Sequence, residues 1–278
     1  MTTFRPPLGP PEVSPPRQNP WPTMYDLPSE DPEDPGLPDE FHDFQPQLLS
    51  ATFRLRDVAS HQVFTASDLN VYYDLAHPRW YKRPDWFAVV GVDRFYDGHD
   101  LRLSYVMWQE QVAPALVVEL LSPGTAPEDL GQTQPRSPEE PPTKWQVYEQ
   151  ILQIPYYVVF NRYTTQLQVF KLTDGRYQAI PVANGRVMMP ELGLGLGLWQ
   201  GEFLDNCRTW LRFFDAEGNW ILTPLEREQQ QVEHAQQQVE QAQQQVEQAQ
   251  QQVEQERLRA ERLATWIKAQ GLDPDALP

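Results

Sequence analysis

Two apolar runs of strand length in the middle of the chain constrain its fold most. Residues 116–121 and 156–160 are nearly continuous in apolar and β-branched side chains, which is typical of strands buried on both faces. Between them, residues 143–153 begin with a threonine that can cap a helix and carry apolar residues at helical spacing. This order predicts a helix packed on a sheet that contains both runs.

Further elements are predicted around this unit. Apolar runs predict strands over residues 86–92, 103–108 and 166–172. Residues 67–76 are predicted to form a short helix, because Ser67 can cap it and apolar residues follow at helical spacing. The polar, proline-rich residues 126–142 are predicted to form a loop without regular structure. The predicted fold class is therefore α/β (α+β), with a mixed β-sheet flanked by helices.

The N-terminal segment differs in composition from this middle part. Up to about residue 49 it carries clustered prolines and nine acidic against two basic residues, so it can bury little apolar surface. We predict an acidic, proline-rich, disordered leader over residues 1–49. It could lie over the domain through its aromatic residues, which are Trp21, Tyr25, Phe41 and Phe44.

The C-terminal segment has a third composition, dominated by a seven-residue repeat. Valines at 232, 239, 246 and 253 alternate with alanines at 235, 242 and 249, which is the spacing of a heptad seam. We predict a glutamine-rich coiled coil over residues 223–270 and a tail over 271–278, which leaves residues 50–222 as the domain. The economical partner is a second copy, giving a dimer. A single solvated helix is the alternative, because alanine buries little surface.

Charge and cysteine content limit the classes of function. The net charge is -17 and no region is basic, which argues against tight nonspecific binding to DNA. A local basic strip of Arg79, Lys82 and Arg83 could still face a phosphate backbone. Cys207 is the single cysteine, so an intramolecular disulfide and a cysteine-cluster zinc site are excluded. With no apolar run of about 18 residues, we expect a cytoplasmic protein without a membrane span.

Two acids and one lysine stand out by their surroundings. Asp85 directly precedes a predicted strand, and Glu119 lies inside the apolar run at 116–121. Burying a carboxylate is costly unless it is paired, protonated or bound to a metal ion. Lys144 lies in the first turn of the predicted helix, where the helix dipole disfavours a positive charge. It is also on the side of this helix that faces the sheet. Each residue also has a structural reading: a turn for Asp85, an ion pair for Glu119, and a surface lysine for Lys144.

Together these three residues match the needs of phosphodiester hydrolysis. Two carboxylates from neighbouring strand ends can hold Mg²⁺, a hard cation that prefers oxygen ligands and retains waters. A lysine beside the ion can position or deprotonate the attacking water. Other chemistries are less favoured, because the five histidines lack metal-ligand spacing and neither a G-x-S-x-G nucleophile elbow nor a phosphate-binding loop is present.

Five short motifs occur in order along the chain: Arg83-Pro84-Asp85, residues 117–125, Glu128-Asp129, residues 144–148 and residues 154–159. With these motifs the sequence resembles the Uma-two family of restriction endonucleases, which belongs to the PD-(D/E)xK nuclease superfamily. The resemblance covers about residues 60–205, and a heptad-rich tail is a frequent companion of the bacterial members.

This resemblance implies a restriction-endonuclease-like domain that cuts DNA with Mg²⁺, or with Mn²⁺ in its place. It implies that Asp85 and Glu119 are the metal ligands and that Lys144 is the catalytic lysine. In the superfamily pattern the lysine lies two residues after the second acid, where this chain has Leu121. Asp129 matches an acid that often precedes the lysine in relatives, but its simplest role is that of a solvated loop residue.

Two functions remain open from the sequence. The first is a metal-dependent DNA endonuclease in which the coiled coil pairs two domains. The second is a catalytically silent protein that keeps the nuclease-like fold and acts through its heptad helix, which the net acidity and the missing lysine at position 121 favour. Convergence of Asp85, Glu119 and Lys144 on a common point would support the enzyme.

Overall fold

The structure is a computed structural model that describes residues 39–122, 124–135, 137 and 139–269. The chain divides into two compact units, one that ends at Ile221 and one that begins at Leu222. Trp21 and Tyr25, which we predicted to lie over the domain, are outside the described residues.

The first unit contains all of the strands described. In chain order they are β1 Val63–Ala66, β2 Val71–Tyr72, β3 Tyr81–Lys82, β4 Trp86–Val90, β5 Tyr105–Val106, β6 Leu116–Leu120, β7 Tyr156–Asn161, β8 Gln166–Thr173, β9 Arg176–Ile180, β10 Arg186–Met189, β11 Leu194–Phe203 and β12 Asn206–Phe214. The helices are α1 Glu40–Thr52, α2 Met107–Glu110, α3 Ala126–Asp129, α4 Lys144–Gln146 and α5 Pro224–Ala269. Short 3₁₀ turns occupy Ser60–Gln62 and Pro190–Leu192, and a π-helical turn, Val147–Ile151, continues α4.

A six-stranded mixed sheet in the order β1-β4-β6-β7-β8-β9 forms the centre of this unit. β6 and β7 are parallel neighbours, whereas every other pair in the sheet is antiparallel. The parallel pair requires a crossover, and the chain between these strands supplies α3, α4 and the π-helical turn. The mixed α/β architecture predicted from the sequence, as expected of a restriction-endonuclease-like fold, is therefore confirmed.

Both faces of the central sheet are covered, because alternate side chains of a strand point to opposite faces. On one face, Val118 and Leu120 of β6 pack in a cluster with α1 and with the three-stranded sheet β10-β11-β12. On the other face, Val117 and Leu121 pack in a second cluster with Val147 and the small sheet β3-β2-β5. Glu119 shares the parity of Val117, so it lies on the face that α4 covers.

The predicted disordered leader is wrong for its last part, residues 40–49, which belong to α1. Asp39 caps this helix by accepting hydrogen bonds from the backbone N–H groups of Phe41 and His42. Phe41 is fully buried and stacks on Trp210, and Phe44 packs against the same cluster. Aromatic residues at helical spacing therefore outweighed the acidic composition, because they could be buried against a preformed core.

Three further local predictions are corrected by the structure. Residues 67–76 do not form a helix; Asp68 has a φ of 49° and Val71–Tyr72 forms β2, paired with β3 and β5. Only Tyr105–Val106 of the strand predicted over 103–108 is extended, and α2 follows it. The predicted loop over 126–142 begins with helix α3. For residues 67–76, pairing with strands distant in the sequence decided the local structure.

The second unit consists of one long helix. α5 runs for 46 residues, and Thr223 and Glu226 close its first turn with reciprocal side-chain to backbone hydrogen bonds. The predicted heptad segment is therefore helical, as its period requires. Within the described ranges, no helix is both long and apolar enough to cross a membrane.

The docking of α1 depends on one buried glutamine. The Gln45 amide accepts a hydrogen bond from the Leu211 N–H at 2.8 Å and donates to the Leu211 carbonyl at 2.9 Å. Gln45→Ala leaves both backbone groups unpaired, so we expect the free energy of unfolding to fall by about 2–3 kcal/mol. The measurement is urea denaturation followed by tryptophan fluorescence. Gln47→Ala is the matched control, because Gln47 is exposed and should change stability little.

Candidate active site

Asp85 directly precedes β4, and Glu119 lies in β6, the antiparallel neighbour of β4. The register pairs Trp86 with Val118, so continuing it by one residue places Asp85 beside Glu119. The backbone N–H of Asp85 donates to Glu119 Oε2 at 3.4 Å, and the Asp85 Oδ2 atom accepts from the Leu120 N–H at 2.5 Å. The strand pairing thus brings the two predicted metal ligands side by side.

Glu119 is completely buried at the centre of the sheet. Its Oε1 atom accepts a hydrogen bond from the Tyr148 hydroxyl at 2.9 Å, and its Oε2 atom accepts from Lys144 Nζ at 3.0 Å. Tyr148 is itself fully buried, so it combines core packing with a specific polar contact. Both oxygens of this buried carboxyl group are therefore held by hydrogen bonds.

Lys144 reaches the Glu119 carboxyl group from α4. Thr143 and Gln146 form a capping box that fixes the start of α4, so the lysine side chain is directed toward the sheet. Its Nζ atom bridges Glu119 at 3.0 Å and Asp129 at 2.7 Å. Leu121, which holds the position of the lysine in the superfamily pattern, is buried on the same face of the sheet. The lysine of the cluster therefore comes from α4 and not from the segment that ends β6.

Asp129 is a residue whose predicted role was wrong. Instead of a solvated loop residue, it is the last residue of α3 and is 1% exposed. Its Oδ1 atom pairs with Lys144, whereas its Oδ2 atom is buried without a hydrogen-bond partner. The Tyr157 hydroxyl donates to the Asp129 carbonyl at 2.7 Å and fixes the backbone there. A buried oxygen without a partner is a place for a ligand, a water or an ion to bind.

A second ion pair lies beside this cluster. Lys82 Nζ donates to Glu128 Oε1 at 3.0 Å, and the same oxygen accepts from the Lys144 backbone N–H at 3.1 Å. Arg83 lies 3.8 Å from Asp68. Two members of the predicted basic strip, Lys82 and Arg83, are therefore engaged with acids, which reduces the positive field available for a phosphate backbone.

His42 of α1 approaches the cluster from the other face of the sheet, a contact that no sequence pattern indicated. Its Nδ1 atom is 2.9 Å from Asp39 Oδ1 and its Nε2 atom is 3.0 Å from the Leu120 carbonyl oxygen. Burial alone would lower the pKa of His42, but the hydrogen bond to Asp39 and the negative charge of Asp85 outweigh it and raise the pKa to about 9. A second cation therefore lies near Asp85.

The acidic groups of the cluster outnumber the positively charged groups near them, and the pKa values of Glu119, Asp85 and Lys144 reflect this. Burial raises the pKa of Glu119 well above its ordinary value, and Asp129 and Asp85 add to this. Burial also raises the pKa of Asp85, although Lys144 and His42 oppose the shift. For Lys144, burial alone would lower the pKa, but the surrounding carboxylates raise it well above its ordinary value. The lysine is thus an ammonium at neutral pH, beside carboxyl groups that would gain from a further cation.

The cluster fits a metal ion that is bound by few protein side chains and keeps several water ligands. Across the described ranges, no group of three His, Cys, Asp or Glu side chains is arranged to hold a metal ion. A site closed by three or four protein side chains is therefore not formed there. Mg²⁺ commonly binds to one or two carboxylates and keeps several waters, which Asp85 and Glu119 can satisfy. The negative charge of the cluster and the unpaired Asp129 oxygen are consistent with such an ion.

The mixed α/β fold is the one expected of a restriction-endonuclease-like protein. A family model, Uma2, described as "Putative restriction endonuclease", matches residues 21–206. The chain therefore belongs to the Uma2 family, and the family description supports a nuclease in general. No curated protein matches the chain.

The pKa of His42 has a consequence for stability. Because its pKa in the folded protein lies above the ordinary value of 6.5, protonation of His42 stabilises the fold fully below about pH 6.5. This stabilisation is lost as the pH rises through about 9. We expect the difference in unfolding free energy between the wild type and His42→Gln to shrink by about 2–3 kcal/mol between pH 6 and pH 9.5.

Urea denaturation at several pH values measures this difference. His234→Gln is the control, because His234 is exposed on α5 and its replacement should leave the pH profile of stability unchanged. A difference between wild type and His42→Gln that does not vary with pH would contradict the assignment of a protonated His42.

Proposed function

We propose that this protein is a Mg²⁺-dependent endonuclease that hydrolyses phosphodiester bonds in DNA. The observation that carries the proposal is the convergence of Asp85, Glu119 and Lys144 on one face of the sheet, linked by hydrogen bonds and drawn from three separate elements. Membership of the Uma2 family supports the general class of nuclease. Metal dependence, DNA as the substrate and the role of each residue are the proposed part.

Asp85 and Glu119 would hold the ion. Hydrogen bonds from the Asp85 N–H to Glu119 and from the Leu120 N–H to Asp85 hold the two residues side by side, and the Tyr148 hydroxyl orients Glu119. When bound, Mg²⁺, or Mn²⁺ in its place, supplies a Lewis acid that polarises a phosphoryl oxygen and lowers the pKa of a bound water. Occupation by a divalent cation would also favour the ionised form of both carboxyl groups, whose pKa values burial raises.

Lys144 would act as a cationic donor. Because its pKa is raised well above the ordinary value, its amine carries no free lone pair near neutral pH and cannot take a proton from water. It can instead donate a hydrogen bond to the attacking water or to a phosphate oxygen that gains negative charge. Of the two roles that the sequence left open for this lysine, orientation is thus favoured over deprotonation.

DNA binding by an acidic protein requires local rather than overall attraction. The net charge of -17 makes a broad electrostatic footprint unfavourable, so the divalent cation and Lys144 would supply much of the attraction for the scissile phosphate. Pairing of α5 with a second copy would give a homodimer with two such sites. Affinity for DNA should accordingly depend more on the metal ion than on sequence-independent phosphate contacts.

The catalytically silent scaffold remains the second candidate. Lys144 already bridges Glu119 and Asp129, so its ammonium occupies part of the space between the carboxylates. A cluster satisfied in this way can stabilise a fold without hydrolysis. In that case the functional contact would be made by α5.

Cleavage assays on supercoiled DNA distinguish these candidates. We expect the wild type to nick the plasmid with Mg²⁺ or Mn²⁺ and to lose the activity with EDTA. Asp85→Asn, Glu119→Gln and Lys144→Met should each lower the rate at least about 100-fold, because each removes a group that contacts the metal ion or the reacting atoms.

Glu149→Gln is the matched control for these variants. Glu149 is also a buried glutamate, but it binds the Tyr177 N–H and Arg176 outside the cluster, so this variant should keep the activity. Circular dichroism establishes that each variant is folded. Metal-dependent nicking that survives in folded Asp85→Asn and Glu119→Gln would contradict the proposed site, and a wild type without any nicking would favour the scaffold.

A further inference from the structure

α5 exposes an apolar seam along its whole length. In the heptad frame of the repeat, the first core position is occupied by Leu225, Val232, Val239, Val246, Val253, Ala260 and Ile267, and the second by Glu228, Ala235, Ala242, Ala249, Glu256 and Leu263. We call these thirteen positions the seam. Its four valines are between 52% and 66% exposed. Such a regular apolar face is the pattern of a helix that pairs with another helix.

Two glutamates in the seam decide which pairing is favourable. In a parallel pair in register, each core position faces its own copy, so Glu228 would face Glu228 and Glu256 would face Glu256. Like charges inside a low-dielectric seam repel each other and lose hydration at the same time. The valines would also meet only valines and the alanines only alanines. The alanine layers would then fill less space between the helices than the valine layers, so the seam would be unevenly packed.

Sliding a parallel pair by one heptad removes this repulsion but creates another problem. Glu228 would then face Ala235, and Glu256 would face Leu263. The two helices would no longer be equivalent, and each pair would leave an unpaired heptad at both ends. A contact of this type does not close on itself and leads to open chains of molecules rather than to a dimer.

An antiparallel pair avoids the repulsion between glutamates and also closes on itself as a dimer. Reversing one helix places the first core position of one copy opposite the second core position of the other. With Gln244 at the centre, Val239 faces Ala249 and Ala242 faces Val246, so every central layer combines one valine with one alanine. At each end Leu225 faces Leu263. No glutamate of the seam faces a glutamate, and the two-fold symmetry closes the dimer.

The charges at the two ends of α5 favour the same orientation. Residues 226–233 carry three glutamates and one arginine, whereas residues 255–262, which lie opposite them in the antiparallel pair, carry three arginines and two glutamates. An antiparallel pair brings the acidic end of one copy to the basic end of the other, and it also opposes the two helix dipoles. Between residues 229 and 252 the positions that flank the seam are glutamines, which are neutral in either orientation.

We propose that α5 pairs with α5 of a second copy as an antiparallel coiled coil centred on Gln244. This pairing does not depend on nuclease activity. The helices of the two copies would begin at opposite ends of the pair, about 60 Å apart along its axis.

Distances between spin labels test the orientation in the full-length protein. Cys207 is exposed and is the single cysteine, so Cys207→Ser provides a background for new cysteines. Gln230→Cys and Gln244→Cys place labels on the outer side of α5, away from the seam. In the antiparallel pair the two labels at position 230 are offset by 28 residues, or about 42 Å along the axis, whereas the labels at position 244 are level with each other.

Pulsed dipolar spectroscopy on each labelled variant therefore has distinct outcomes. For the antiparallel pair we expect a distance of more than about 40 Å between the labels at position 230. At position 244 we expect about 20 Å, which is the diameter of two helices. Distances of about 20 Å at both positions would establish a parallel pair and overturn the proposal. A monomeric protein without dipolar coupling at either position would also overturn it, because a second copy would then not cover the seam.

Discussion

The buried carboxylate of Glu119 is the constraint on which the first unit depends. A carboxyl group at the centre of an apolar sheet is stable only if other groups replace its hydration. Tyr148 and Lys144 do so, and both come from the chain segment that crosses from β6 to β7. The crossover needed by the parallel pair therefore also closes the polar cluster, so the topology of the sheet and the chemistry of the candidate site have one cause.

The balance of charge in this cluster links stability to function. Asp85, Glu119 and Asp129 are acids around one lysine, with His42 on the other side of the Leu120 peptide. Protons, or a divalent cation, can supply the positive charge that would balance these acids. Protons and the metal ion compete for the same oxygen atoms in metal sites built from carboxylates. An active protein of this kind would accordingly gain stability from its cofactor and lose affinity for it in acid.

The sequence indicated the centre of the fold better than its periphery. β4, β6, β7 and β8 were predictable because their apolar runs are buried by neighbours on both faces, and Asp85, Glu119 and Lys144 were identified as polar residues in apolar surroundings. β2 was predicted as a helix because two paired residues leave too short a pattern to read. His42 and Asp129 were missed because their roles come from contacts far apart in the chain, such as that between His42 and Leu120.

Calorimetric titration of Mg²⁺ at neutral pH, in buffers with different heats of ionisation, tests whether Asp85 and Glu119 form a metal site. We expect the wild type to bind the ion and to release protons, because the pKa values of Asp85 and Glu119 are raised. Glu119→Gln keeps a partner for Tyr148 but should lose both the binding and the proton release. Absence of binding in the wild type, or equal binding in the folded variant, would contradict a metal site at this carboxylate cluster.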